Sequence, residues 1–560
     1  MIHECLTYKS ANMNNINPIL PGFYPDPSIC RVNDDYYLIT SSFAFFPGIP
    51  IFHSKDLVNW TQLGHVLERP SQLNLDGSNY SGGIFAPTIR HHDGIFYVIT
   101  TNMTYGGNFL VYSKNPSGPW SDPVWLPDAP GIDPSLFFDD DGRVYVTGTR
   151  TKKDAQYFGD HEIWIQELDL LSLTLIGTQK VLWDGAMKNA MFVEAPHLYK
   201  RDEYYYLMIS EGGTEQYHSI TIARSNNIMG KYISNPANPI LTHRHLGKSH
   251  PITNIGHGDL IQTSKNDWYM VTLGCRPCHG SINLGRETFI TDVIWEDGWP
   301  VIAPGIGCVN LFLDKDTPLP AKAYIDYPRD TFASRELSNE WNFIRTPRVP
   351  FWYFENKQNG ITIKLKTQTL LDHLTCPSFE YKKHTDKTTF IDDCPAFIGR
   401  RIQHHSYSVI SHIVFTPESM DEEAGIAIVQ NSNHQFRYYI TRESGSTILV
   451  LVKCYSKRNL NSDTHDFNYK NIEKELAKVP FDGDELSLSV NVTDGIYDFY
   501  YTEKNSEKKM LTGSIDSKFL SVGAAGGFVG NYIGLYATSN NMVSSNTARF
   551  EFFEYKPTYS

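Results

Sequence analysis

The chain has 560 residues, with 49 Lys and Arg against 62 Asp and Glu for a formal charge of −13, and it carries 33 Tyr, 31 Phe and 10 Trp. That length admits two to four domains with a sizeable core, and 20% charged with 41% apolar residues describe an ordered globular protein. The acidic balance, with no Lys/Arg-rich run, argues against nucleic acid and against anionic membranes as partners.

Aromatic residues favour strands and offer flat apolar faces, so their excess points to a β-rich fold and to ring-shaped ligands. The N-terminal segment MIHECLTYKSANMNNINPIL has no apolar core of a secretory signal, and no apolar stretch approaches the roughly 18 residues of a membrane-spanning helix. A cytoplasmic address is the expectation. Eight scattered cysteines read as buried free thiols. Cys275 and Cys278 form a CxxC after the strand-like WYMVTLG, but no second pair completes a zinc site and no βαβ pattern surrounds it.

Five segments share one pattern: Asp26-Pro27-Ser28-Ile29, Ala86-Pro87-Thr88-Ile89, Asp133-Pro134-Ser135-Leu136, Ala195-Pro196-His197-Leu198 and His257-Gly258-Asp259-Leu260. Each is followed, across a polar turn, by an aromatic run: YYLITSS, IFYVITT, VYVTGT, YYYLMIS and WYMVTLG. Strand, tight turn, strand is a hairpin signature. Asp139-Asp140-Asp141-Gly142 belongs to this set as the turn of the third unit; it begins like a calcium loop, but the twelfth position is Arg150 rather than Glu. Repeated sheets that cannot cover their own faces are buried by radial packing, so the pattern predicts an all-β, five-bladed β-propeller over residues 14–310. A Pro-rich ionic linker follows at 311–328, and alternating segments from ITIKLKT to YIGLYAT predict a β-sandwich over 329–560.

Equivalent positions of a propeller converge at one end of its axis. Asp26, Ala86, Asp133, Glu194 with Ala195, and His257 therefore belong together, and three of them are carboxylates. A glycosidase needs one carboxylic acid to protonate the departing oxygen and one carboxylate to activate water or attack the sugar. Neighbouring like charges raise a carboxyl pKa and keep one group protonated.

NPILPGFYPDPS, GIDPSLFFDDDG, VEAPHLYK, GHGDL and LGRETF, in that order, resemble glycoside hydrolase family 43, the β-xylosidases and α-L-arabinofuranosidases. The C-terminal part resembles the concanavalin-like β-sandwich of the β-xylosidase branch. The resemblance implies an inverting mechanism with Asp26 as general base, Glu194 as general acid and Asp133 as the residue that orients the acid and tunes its pKa. It also implies that Arg286 holds Asp26 or a sugar hydroxyl, and that His257 lines the axial channel, where the family often holds Ca2+ or water. Phe43 and Phe85 would wall the sugar, Phe85 standing where the family usually has Trp. Phe528, with Tyr532 as the alternative, would reach over the pocket from the second domain and make the enzyme exo-acting.

The expected activity is release of terminal β-D-xylose from small xylo-oligosaccharides, with α-L-arabinofuranosidase activity as the alternative. No cofactor is required, Ca2+ in the axial channel being the one candidate, and homo-oligomerisation is left open. A carbohydrate-binding propeller without catalysis is the rival from another class.

Overall fold

The computed structural model describes residues 13–314, 317–355, 359–371, 392–460 and 467–558. Each repeated segment leads into an inner strand: Ser28–Val32, Thr88–His92, Ile132–Phe138, Glu194–Arg201 and Thr253–Gln262. Each pairs antiparallel with the aromatic strand after it: Asp35–Ile39, Ile95–Asn102, Val144–Thr151, Tyr204–Glu211 and Trp268–Cys275. Third and fourth strands complete five four-stranded sheets, with a short extra strand, Leu241–Thr242, on the fourth. The inner strands touch in sequence and the fifth touches the first, so the sheets close into a ring.

Closure is chemical as well as geometric. Tyr36, Leu38 and Phe52 of the first sheet bury against Tyr269, Val271 and Ile290 of the fifth, each contributing about 1.5–3 kcal/mol when fully covered. Met13–Asn15 pairs with Phe312–Asp314, while Asn17 Nδ2 donates to the carbonyls of Ile290 and Asn310 at 2.8 Å each. Further along the connection, Lys322 Nζ donates to Pro18 O at 2.6 Å and ties it to the propeller.

The C-terminal part is a sandwich of a seven-stranded and a six-stranded antiparallel sheet. All eight alternating segments identified in its sequence are strands. Among the described residues the helical structure is a four-residue α-helix, Val522–Ala525, after a 3-10 turn, and no helix is long and apolar enough to cross a membrane. Cys30, Cys275, Cys278, Cys308, Cys394 and Cys454 are free thiols, four of them buried; Cys5 and Cys376 lie outside the described residues.

The two domains are joined by backbone as well as side chains. Phe343–Ile344 pairs antiparallel with Phe45–Phe46 of the first blade. Arg401 of the sandwich donates to Phe23 O and Asn342 Oδ1 at 2.7 Å each, its guanidinium 4.5 Å from the Tyr24 ring. Tyr532 stacks on Phe45 with centroids 3.8 Å apart and planes 9° apart. Two glycines also meet across the junction: a Cβ on Gly285, which has φ +79°, would lie 2.8 Å from Gly530 Cα, and one on Gly530 would lie 2.3 Å from Leu284 O. Gly530→Ala is expected to cost about 1–3 kcal/mol by overpacking, read by denaturant unfolding. It should lower kcat/KM as well, because the displaced segment carries Phe528.

Candidate active site

The head of the repeated pattern has an unusual backbone. Asp26, Asp133, Ala195 and His257 have φ of 55°, 53°, 53° and 49°. In the third, fourth and fifth blades the pairing register slips at this point, between Ile132 and Ser135, Glu194 and His197, and Thr253 and Gly258. Such bulges re-aim side chains, and a non-glycine residue in this region costs about 1–3 kcal/mol, a strain that concentrates at functional sites.

The strain gathers the charged groups. Asp26 is 4% exposed, and its carboxylate accepts from Arg286 Nη1 at 2.7 Å, Arg286 Nη2 at 3.4 Å and Ser41 Oγ at 2.5 Å. His257 Nδ1 lies 3.8 Å from Asp26 Oδ1, and Arg286 Nη1 also donates to Thr214 Oγ1 at 3.1 Å. Asp133 Oδ2 accepts from the N–H of Ala195 at 3.2 Å, so it holds the backbone beside Glu194 rather than the Glu194 side chain. The Glu194 carboxyl has no hydrogen-bond partner among the described residues.

These surroundings act on two of the three carboxyls. Burial, then the charge of Asp133 and then that of Asp26, raise the Glu194 pKa well above the usual carboxyl range, against the pull of Arg286. Asp133 is pushed up to about 7 by burial and the Asp26 charge, opposed by the Ala195 N–H and Arg286. Burial lowers the pKa of His257 and favours its neutral form.

Aromatic rings enclose this cluster. Phe43 lies 5.2 Å from Phe85 and 6.1 Å from Phe528, and the Arg286 guanidinium is 5.4 Å from the Phe43 ring and 5.8 Å from that of Phe528. Phe528 therefore reaches the charged groups from the second domain, its N–H donating to Ser81 Oγ at 2.9 Å. Two expectations need correction. Phe43 is only 2% exposed and forms the layer beneath Phe85 and Phe528 rather than an open wall, while Tyr532 is fully buried against Phe45 between the domains and is not a pocket residue.

Ser41, Thr214 and Ser210, whose Oγ accepts from the His257 N–H at 2.7 Å, were not foreseen. One signal pointed to them: they sit at or just past the ends of second strands, which antiparallel pairing brings level with the inner-strand heads, as Ser210 pairs with Glu194. Phe158, 71% exposed, stands edge-on to Phe192 at 5.4 Å, and Phe192 lies two residues before Glu194 in the chain.

Residues 16–300 match the model of glycosyl hydrolases family 43, and residues 329–556 match the β-xylosidase C-terminal concanavalin A-like domain. The chain belongs to glycosyl hydrolase family 43. It is 41% identical to a xylosidase/arabinosidase of Butyrivibrio fibrisolvens, over 96% of this chain and 98% of that protein. It is 35% identical to a non-reducing end α-L-arabinofuranosidase of Bacteroides ovatus, over 96% and 94%. The crystal structure of a xylan β-1,4-xylosidase from Bacillus halodurans superposes with a TM-score of 0.83 at 32% identity, covering 96% of this chain and 99% of that one.

Two residues beyond each pattern head, this family 43 glycosidase places Ser28, Thr88, Ser135, His197 and Asp259. Arg90 fills the space they enclose. It donates to Asp259 Oδ2 at 2.9 Å and Ser28 Oγ at 3.2 Å, and lies 3.1 Å from His197 Nδ1. Asp259 is further engaged by Ser28 Oγ, the Ile29 N–H and Tyr199 OH. Calcium wants six to eight oxygen ligands. Here the axial carboxylate Asp259 is paired with the Arg90 guanidinium, so among the described residues the side chains around it do not fit that ion.

Asp133→Asn tests the electrostatics in two ways. It removes a negative charge beside Glu194, so the alkaline limb of the kcat/KM profile moves to lower pH. A carboxyl with a raised folded-state pKa binds more protons folded than unfolded, so its contribution to stability falls as pH rises from about 4 toward 7. Asp133→Asn is therefore expected to flatten the loss of thermal stability over that window, measured by melting temperature against pH.

Proposed function

We propose that this enzyme is an exo-acting, inverting glycosidase that releases terminal β-D-xylose from xylo-oligosaccharides. Asp26 deprotonates a water that attacks the anomeric carbon. Glu194 gives its proton to the departing glycosidic oxygen as the bond to that carbon breaks. Asp133 keeps Glu194 protonated by its charge and steadies it through the Ala195 N–H. Arg286 and Ser41 orient Asp26. Phe528, supplied by the sandwich, closes one side of the pocket and favours chain ends over internal bonds.

The observation that carries this reading is the inequality between two carboxyls at one site: Asp26 is clamped by a guanidinium, while Glu194 has no hydrogen-bond partner among the described residues and a raised pKa. A binding protein has no use for that inequality. α-L-Arabinofuranose is the second sugar, favoured by relatives whose names carry arabinosidase or arabinofuranosidase activity.

Hydrolysis of aryl β-D-xyloside is expected to exceed that of aryl α-L-arabinofuranoside, with NMR showing the inverted anomer first; retention would refute the mechanism. Asp26→Ala and Glu194→Ala should each lower turnover by at least about 10²-fold. The Glu194→Ala loss should shrink on dinitrophenyl glycosides, whose leaving group needs no proton, whereas the Asp26→Ala loss should not.

A further inference from the structure

One cavity uses none of the groups above. It lies on the fifth blade, where Trp268 opens the second strand opposite Gln262 and Val293. The strand runs from there to Cys275 beside the catalytic end, so at about 3.3 Å per residue the cavity is roughly 23 Å away, on the far side of the propeller. Its volume is about 550 Å³, and Trp268, Trp295, Asp267, Asp292, Gln262 and Arg201 line it.

Two of its polar atoms are anomalous. Asp292 Oδ1 and Trp295 Nε1 are buried without a hydrogen-bond partner. Leaving such groups unpaired costs stability, and each calls for a reason. The indoles stand 5.4 Å apart at 69°, and the Arg201 guanidinium lies 4.6 Å from the Trp295 ring. The volume is that of a ligand site.

The chemistry selects the ligand. Asp292 Oδ1 needs a donor and Trp295 Nε1 an acceptor, and a hydroxyl supplies both. Indole faces suit the apolar C–H face of a sugar ring. One guanidinium against two carboxylates disfavours an anion, and an indole N–H does not ligate a cation. We infer that this cavity is a second, non-catalytic saccharide site that takes a pentose or hexose unit of a neutral oligosaccharide. Burial also raises the Asp292 pKa, and a protonated carboxyl pairs with hydroxyls as donor and acceptor.

The test uses the wild-type enzyme with Trp labelled in its indole nitrogen, titrated with S-linked xylotriose and S-linked cellotriose, which resist hydrolysis whatever the catalytic assignment. The Trp295 indole resonance, identified by Trp295→Phe, should move with at least one of them. Asp292→Ala should abolish that movement, leave kcat/KM on an aryl glycoside within about twofold and not lower the melting temperature, since it removes an unpartnered buried group. A Trp295 signal unmoved by both sugars overturns the inference, as does one that still moves in Asp292→Ala or that responds to calcium chloride alone. Failure here leaves the catalytic reading intact, and loss of activity in Asp26→Ala leaves this one intact.

Discussion

The geometry of the catalytic end depends on a backbone constraint: four inner strands carry a left-handed, non-glycine residue at the head of the repeated pattern. In an undisturbed ladder, alternation alone would set where each side chain points. Bulges break that alternation in the third, fourth and fifth blades, where Asp133, Glu194 and His257 come into range of Asp26 at one end of a closed ring. The strain is offset by the cores between blades, which bury large aromatic and aliphatic side chains along every blade contact. The same cores make the carboxylates costly, because the ring shields them from water. Arg286 offsets part of that cost at Asp26, and removing either partner of such a pair would strand a buried charge at about 3–5 kcal/mol.

The sandwich is part of the site rather than an appendage. One apolar cluster contains Phe23, Phe43 and Phe45 of the propeller together with Tyr532 and Tyr536 of the sandwich, and Phe85 and Phe528 pack on it from the pocket side. The facing Gly285 and Gly530 let the loop leading to Arg286 lie against the segment that carries Phe528. Arg401 donates to the carbonyl of Phe23, three residues before Asp26. The pocket is thus assembled by contacts between residues hundreds of positions apart, and domain docking is a condition for its shape.

That distance explains what the sequence revealed and what it did not. The blades were legible because each repeats an aromatic run after a polar turn, and the axial carboxylates because they share one register. The Phe467–Pro480 strand was not, since NYKNIEKELAKVP spaces its apolar residues irregularly among Lys and Glu; it pairs with Ser446–Leu460 at the edge of its sheet, where charged side chains discourage further pairing. Ser41 and Thr214 escaped because a short hydroxyl carries no pattern, and Thr214 meets Arg286 across 72 residues. Phe43 was recognised as a site residue but not as a buried one, because burial at the domain junction depends on Phe528 arriving from the other domain.

Three carboxyls of nearly the same intrinsic acidity thus differ only in their partners. Asp26 accepts from a guanidinium and a hydroxyl. Asp133 has a single backbone N–H, too little to offset burial and the neighbouring charge. Glu194 has no donor among the described residues, and burial, with Asp133 and Asp26 nearby, favours its protonated form. A donor placed beside Glu194 would favour its charged form and remove the inequality on which the proposed acid depends.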